Sequence, residues 1–594
     1  MNVREGSIVI LDSGGQYAHL IGNRVRRLGA FSEIRVAETP AKDLKGAAGI
    51  ILSGGPQSVY EKGSPQMDRG IFDLGVPILG ICYGHQWLAN ALGGEVKPGK
   101  KKEYGHADVT VTEPASSLFR GLPEHFGAWM SHGDEVARLP AGFLRTALSD
   151  TCRIAAMADE TRKIFGVQFH LEVTHTQHGM EILKRFVDLC HPEPWSMESY
   201  SEHIGTALKK EVGERKVFML VSGGVDSTVA FTLLNELLGK DRVQGLLVDT
   251  GLMRKNEVRN IRAAFDRLGI TNLHIEDASE EFFAALKGVY DPEEKRKRIG
   301  NTFLAVQKRV SERMKLRMED GWMLGQGTIY PDTIETKGTK HADHIKTHHN
   351  RVEAIAKMME AGLVVEPLKD LYKDEVRILG EELGLPHEFV WRHPFPGPGL
   401  GVRILCAEAE SFPEEIGTVD VPHLTLPVRS VGVQGDGRTY RHAVALFSDD
   451  RKISNVHRKM ATTIPNTVPA FNRVVFCTSH ATPPPVVFVP GYVSKDRADL
   501  LREADAVVDE ELKRADLYET VWQFPVVLLP FGAKEGGQSI VLRPVESQEA
   551  MTANAAPLPD AVLSRMTERL LGLPGIDMVF LDLTSKPPAT IEWE

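Results

Sequence analysis

Three residue types in the N-terminal third could make a nucleophile and the base that activates it. "GICYGHQ" sets Cys82 between Gly80 and Gly84 as G-x-C-x-G, after the apolar run "VPIL" and before a helical pattern. Small neighbours permit the sharp strand-to-helix turn of a nucleophile elbow, with a thiol where the usual elbow carries a hydroxyl. The head of a helix favours the thiolate. A cysteine alone is as readily inert packing, so the thiol needs a partner. "FHLE" supplies one: His170 follows a second apolar run, and Glu172 falls on the same side of an extended chain, where it can orient the imidazole. "LSGGP" at 52–56 adds glycine N–H groups for a developing oxyanion.

A second chemistry-bearing stretch is "VSGGVDST" at 221–228, between the apolar run "KVFML" and the helical pattern "TVAFTLLNELLG". A Walker A loop requires G-x-x-x-x-G-K-[ST], and no stretch of the chain fits it. Ser222, Gly223, Gly224, Val225, Asp226, Ser227 and Thr228 still form an anion cradle of backbone N–H groups and hydroxyls at a helix start. The bland alternative is that the glycines only close a tight turn. Asp226 has two readings as well, a Mg²⁺ ligand or a helix cap.

The elements that must position these residues read as α/β. "SIVILD", "GIILSGG", "VPILGIC" and "KIFGVQFH" alternate with amphipathic stretches over the first 190 residues, which predicts a mostly parallel sheet with helices on both faces. "HPEPWSMESYSEH" reads as a linker. "KVFMLVSGG", "VQGLLVDTG" and "GWMLGQGTIYPD" then predict a second α/β unit whose strand ends converge on one site. "RHPFPGPGLGVRIL" cannot continue a helix and marks a second boundary. The expected domains are 1–193, 194–393 and 394–594. Within the last, "LPVRSVGVQGDGRTYRHAVAL" with its following helix and strand is echoed faintly by "LPFGAKEGGQSIVLRPV" with "VLSRMTERLLGLPGIDMVFLDLTS" after it. Two diverged copies are therefore expected at about 424–480 and 524–594.

Bulk properties exclude several classes. The 594 residues carry 70 Lys+Arg against 80 Asp+Glu, a net charge of -10, so nothing drives broad nucleic-acid binding. The 5 cysteines are scattered without a C-x-x-C pair, which argues against a disulfide framework or a zinc cluster and for a reducing compartment. No run reaches the length of a membrane helix, and the N-terminus does not read as a signal peptide. The expectation is a cytoplasmic protein without membrane or nucleic-acid partners.

With these motifs in view, the N-terminal unit resembles the class I glutamine amidotransferases, Cys82, His170 and Glu172 matching their triad. The resemblance implies a glutamyl thioester at Cys82, release of ammonia, and an oxyanion hole at Gly55 and Tyr83. Leu171 stands where that family usually has proline. His19, His132 and His175 lack a comparable partner pattern and read as surface or loop histidines. "SGGVDS" resembles the loop of N-type ATP pyrophosphatases, which release pyrophosphate and activate a carbonyl oxygen as its AMP ester. That bond choice explains the missing Walker lysine.

"DPEEKRKRIGNTF", "LGQGTIYPDTIE", "HADHIKTHHN" and "EPLKDLYKDEVRILG" resemble the synthetase unit of the GMP synthase family, and "RHPFPGPGLGVRIL" with "SKPPATIEWE" its C-terminal domain. The resemblance implies xanthosine 5'-monophosphate (XMP), ATP and glutamine as substrates, with Mg²⁺ and no organic cofactor. It places Arg296, Asp436, Gln538, Lys586, Ile591 and Glu592 at XMP, and Lys346 and Lys373 at phosphate charge. For Lys373 the alternative is an ordinary helix-surface lysine. His341, His344, His348 and His349 could suggest zinc, but no thiolate joins them. The second copy matches the family's long form, which implies a functional monomer with an internal pseudo-dimer, a homodimer being the alternative. The rivals are another adenylating amide synthetase, such as one making NAD, and a catalytically inert nucleotide-sensing scaffold of the same fold.

Overall fold

The computed structural model describes all residues except 1–2, 16, 338–357, 415–418, 420, 435–436, 547–552 and 587. The chain divides into two compact units: one takes the residues up to Thr206 with short segments beginning at Ile329 and Lys369, the other most of the remainder.

The first unit is built on a nine-stranded sheet. Its strands are β1 (Ile8–Asp12), β2 (Ser32–Val36), β3 (Gly49–Leu52), β4 (Ile78–Ile81), β5 (Glu95–Val111), β6 (His125–Arg138), β7 (Leu144–Ser149), β8 (Ala156–Asp159) and β9 (Ile164–Val167), in the order β2-β1-β3-β4-β9-β8-β7-β5-β6. The first five in that order are parallel neighbours, and the remaining pairs are antiparallel. The expected mostly parallel sheet thus covers only one half, because β5 and β6 form a long hairpin that extends it. Alternate residues of β1 serve two cores: Ile8 and Ile10 face one cluster, Val9 and Leu11 the other. Both faces are covered by helices or loops, which is why these strands are apolar throughout. Helices α1 (Ala18–Arg27), α2 (Tyr83–Ala91) and α3 (Gly179–Cys190) belong to this layer structure.

The second unit opens with α4 (Met197–Val212), which begins in the first unit and runs into β10 (Lys216–Leu220), α5 (Val225–Leu238), β11 (Val243–Asp249), α6 (Glu257–Arg267), β12 (Leu273–Asp277), α7 (Ser279–Leu286), α8 (Pro292–Arg313), β13 (Trp322–Gly325) and β14 (Val364–Val365). Its five strands are all parallel, in the order β12-β11-β10-β13-β14. That order reverses at β10, so the loop leaving β10 lies at the topological switch point, where such sheets bind ligands.

Beyond it stands a six-stranded sheet with an internal symmetry. β15 (His423–Gln434) and β16 (Gly437–Leu446) form a hairpin, the helix Asn455–Thr467 crosses over, and β17 (Phe471–Cys477) pairs parallel to β16. The same order recurs: Val526–Leu529 antiparallel to Gln538–Leu542, the helix Asp560–Leu571, then Ile576–Asp582 parallel to Gln538–Leu542. The halves meet where β17 runs antiparallel to Ile576–Asp582, with Phe476 opposite Leu581. One apolar cluster runs from Phe218 in β10 through Val474 and Leu581, so the five-stranded sheet and this sheet share a core.

Candidate active sites

The sharp turn at Cys82 is explicit in the backbone. Cys82 closes β4 with φ +53° and caps α2, a conformation that costs a non-glycine residue on the order of 1–3 kcal/mol. Its neighbours cannot carry side chains: a Cβ on Gly80 would lie 2.5 Å from the Gly84 carbonyl carbon, and one on Gly84 2.3 Å from Leu52 O. The Cys82 N–H donates to Val167 O at 2.8 Å, tying the elbow to the end of β9. Three residues on lies His170, held by its own N–H to Trp129 O (3.0 Å) and by the Thr176 hydroxyl to its carbonyl (2.6 Å).

His170 Nδ1 meets Glu172 Oε1 at 2.7 Å, and its side chain is hydrogen-bonded to Cys82. Burial works against a charged imidazole here, yet Glu172 and the Cys82 sulfur together hold His170 well above its ordinary range. The site therefore favours an imidazolium beside sulfur. Gly54 lies beneath both groups, a Cβ there reaching 3.1 Å from His170 Cε1 and 3.6 Å from Cys82 Cβ. Gly55 packs backbone-close on Tyr83, its Cβ position 3.3 Å from Tyr83 Cγ. The Tyr83 hydroxyl donates to Pro65 O, and burial pushes it up to about 12. The side chain is thus committed to packing, which leaves the Tyr83 backbone N–H as the group for an oxyanion.

Several partners had no signal in the sequence. Gln168 Nε2 points at Cys82 Sγ from 3.7 Å, Gln86 bridges Gln168 Oε1 and Asp134 O, and Tyr17 stands edge-on to the His170 ring at 5.1 Å. Leu171 is buried, its carbonyl 2.2 Å from where a Gly179 Cβ would sit. The reading of His132 as a surface or loop residue is corrected. It is 6% exposed and lies 2.9 Å from Glu103, its cross-strand partner, a pairing that only the β5–β6 register reveals.

In the second unit the loop after β10 curls on its own hydroxyls. Ser227 Oγ accepts from Ser222 N (3.1 Å) and meets Ser222 Oγ (3.0 Å), while Thr228 Oγ1 donates to Gly224 O (2.8 Å). Gly223 takes φ +82°, where a side chain would also strike Ile261. Val225 is buried as the first residue of α5, and Gly224 caps that helix. Lys373, first residue of the helix Lys373–Glu382, grips both Asp226 oxygens at 2.5 and 2.6 Å. The two groups expected at phosphate and metal therefore pair with each other. Lys346 and His341, His344, His348 and His349 lie outside the described residues.

Of the residues expected at XMP, Arg296 reaches the chain's end and Glu592 lies within it. Arg296 on α8 donates to the Glu594 carbonyl and to Glu293. Beside it the fully buried Lys295 forms an ion pair with the Glu594 carboxylate, a residue hidden in a run that reads as solvated. Glu592 receives Arg403 Nη2 at 3.0 Å and Nε at 3.2 Å. Gln538 accepts from Arg497 Nε at 2.8 Å, and Arg497 also donates to Leu405 O, one residue before Cys406, whose N–H meets Glu594. Ile591 is half-buried, and the Lys586 backbone pairs with Ala553. Asp436 lies outside the described residues. The tail itself is pinned by Arg473, which donates to Asp582 (2.7 Å), Thr590 O (3.0 Å) and Glu592 O (2.9 Å), while Trp593 donates to Asp582 at 3.0 Å.

Comparison with known proteins finds three families along the chain. Family models match at residues 9–190 (glutamine amidotransferase class-I), 197–322 (NAD synthase) and 510–593 (GMP synthase C terminal domain). A probable glutamine-hydrolyzing GMP synthase of Leptospira interrogans is 47% identical, covering 99% of both chains. The glutamine-hydrolyzing GMP synthase of Streptomyces coelicolor is 38% identical over 99% of this chain and 98% of its own, and that of Vibrio vulnificus 39% over 100% and 99%.

Proposed function

The chain belongs to the family of glutamine-hydrolysing GMP synthases, and from that premise we propose a division of labour among its residues. It is a ligase of the amidotransferase type that converts XMP, ATP, glutamine and water to GMP, AMP, pyrophosphate and glutamate. The NAD-making rival leaves the C-terminal family segment unexplained, and the full-length matches, all named as synthases, lend no support to an inert scaffold.

Cys82 sulfur attacks the glutamine amide carbon, and the oxyanion is received by the N–H groups of Gly55 and Tyr83. The His170 imidazolium gives its proton to the departing nitrogen, and ammonia leaves a glutamyl thioester. His170, now neutral, takes a proton from water, which attacks the thioester and frees glutamate and Cys82. Glu172 keeps the ring oriented and favours its charged form throughout.

At the second site the XMP C2 oxygen attacks the ATP α-phosphorus, and pyrophosphate departs into the cradle of Ser222, Gly223, Gly224, Val225, Ser227 and Thr228. Ammonia then attacks C2, and AMP leaves. Carboxylate and hydroxyl oxygens suit Mg²⁺, with Asp226 its proposed ligand, and the ion would neutralise phosphate charge. Lys373 releases Asp226 as ATP enters and turns to the phosphates, with Lys346 as a second cation. Arg296, Asp436, Gln538, Lys586, Ile591 and Glu592 hold XMP.

The domain layout 1–193, 194–393 and 394–594 is part of the proposal, supported by a family match inside each segment. So is function as a monomer, supported by the antiparallel junction of the two sheet halves. Among the described residues no helix is long and apolar enough to cross a membrane. We place the enzyme in the cytoplasm, where nucleotides and glutamine meet.

One observation carries the glutaminase assignment: Cys82 at φ +53° beside a His170–Glu172 pair at 2.7 Å. An assay with XMP, Mg-ATP and glutamine tests the whole. GMP, AMP and pyrophosphate in equal amounts are expected, and ADP or no turnover refutes it. Sedimentation at assay concentration should give one chain per particle.

A further inference from the structure

The first unit holds a second cluster of ligand-type side chains that glutamine hydrolysis does not use. Glu103 on β5 and His132 on β6 are direct cross-strand partners, and the turn between β7 and β8 brings in Cys152. Their donor atoms all lie within 4.8 Å of one another. His132 and Cys152 are buried and Glu103 is half-buried. The turn is locked, since Cys152 N donates to Ser149 Oγ (3.0 Å) and Ser149 N to Cys152 O (2.8 Å).

The imidazole shows what the cluster lacks. His132 Nδ1 lies 2.9 Å from Asp134 O, and Nε2 lies 2.9 Å from Glu103 Oε2. A carbonyl oxygen only accepts, so Nδ1 carries the hydrogen, and in neutral imidazole the Nε2 lone pair then faces a carboxylate oxygen. Two lone pairs at that separation repel, so a cation belongs between them, a proton or a metal ion. A backbone carbonyl behind the other nitrogen is the usual outer-shell support of a metal-bound histidine.

We propose that Glu103, His132 and Cys152 form a binding site for a Zn²⁺-type divalent cation. Nitrogen, oxygen and sulfur donors together suit Zn²⁺. Bonds of about 2.0–2.3 Å put tetrahedral ligands about 3.3–3.8 Å apart, so small side-chain rotations close the cluster. Three protein ligands leave one position open. Burial, with Glu103 and Glu135 adding to it, pushes the Cys152 thiol up to about 12, so metal entry releases a proton.

The site adjoins the nucleophile. Cys82 Sγ lies 3.5 Å from Ser131 O, and Ser131 precedes His132 in β6. Occupancy stiffens that strand and slows glutamine-dependent turnover while sparing turnover with ammonia. This consequence rests on Cys82 being the nucleophile.

The full chain is titrated with Co²⁺ as a spectroscopic stand-in for Zn²⁺. A thiolate-to-cobalt charge-transfer band should saturate at one ion per chain and vanish on Zn²⁺ addition, both in the native sequence and in Cys82→Ala. It should be absent in Cys152→Ser, with circular dichroism confirming the fold. Glu103→Gln retains the thiol and should weaken Co²⁺ binding about tenfold or more. A missing band in the native sequence, a band that survives Cys152→Ser or disappears in Cys82→Ala, or unchanged affinity in Glu103→Gln overturns the site. If the band forms but Zn²⁺ leaves glutamine-dependent turnover unaltered, the coupling to Cys82 is overturned and the site stands. Retained glutamine-dependent turnover in Cys82→Ala would instead refute the nucleophile and leave the metal site untouched.

Discussion

The proposed glutaminase site and the C-terminal tail are both assemblies of buried polar groups, but they are held in different ways. At Cys82, His170 and Glu172 the parts sit on neighbouring strand ends, aimed by backbone hydrogen bonds and one short side-chain contact. At the tail, Lys295, Arg403, Arg473, Arg543 and Asp582 come from five distant segments, all fully buried and joined by ion pairs. A catalytic group on a scaffold that is already stable can be lost without unfolding the scaffold. A buried charge that joins segments cannot, because its partner is left desolvated and alone.

The largest expected effect tests the first half of that contrast. Cys82→Ala should lower glutamine-dependent GMP formation by about 10⁴-fold or more while ammonia-dependent formation and the denaturation midpoint stay near normal. Loss of the ammonia reaction as well would contradict the division of labour. Asp582→Asn tests the second half. It strands Arg473 and Arg543 and should cost about 3–5 kcal/mol in chemical denaturation, with XMP binding weakened alongside. A stable variant with normal KM for XMP would erase the contrast.

Glu172→Gln should reduce glutaminase kcat by about a hundredfold with little change in stability, read by steady-state kinetics and melting together. Lys373→Gln is a smaller change, because the pair with Asp226 is partly exposed: KM for ATP should rise by less than about tenfold. The smallest effect is on pH. The charged form of His170 is favoured in the fold, so its stabilisation is complete below the ordinary histidine value of about 6.5 and fades as pH rises through the folded-state value. Denaturation midpoints across that range should slope for the native sequence and flatten in Glu172→Gln.

The same contrast explains which residues are legible. Gly80, Cys82 and Gly84 announce themselves because a sharp turn has local steric demands, and Glu172 is two residues from the histidine it orients. The lysine-free loop is equally local. His132 reads wrongly from sequence because its partner lies 29 residues away across a hairpin, and Lys295 because a buried lysine inside "EEKRKR" looks like its solvated neighbours.

The sequence by itself determined the elbow, the His170–Glu172 pair, the glycine-rich turn after β10 and the faint duplication near the C-terminus, since each is written in spacing that short-range geometry enforces. Tertiary structure alone decided that β10 sits at the switch of its sheet, that Lys373 meets Asp226, that Glu103 faces His132, and that two sheet halves join at β17. Those pairings depend on strand order and register, and the energy that selects them is burial summed over segments far apart in the chain.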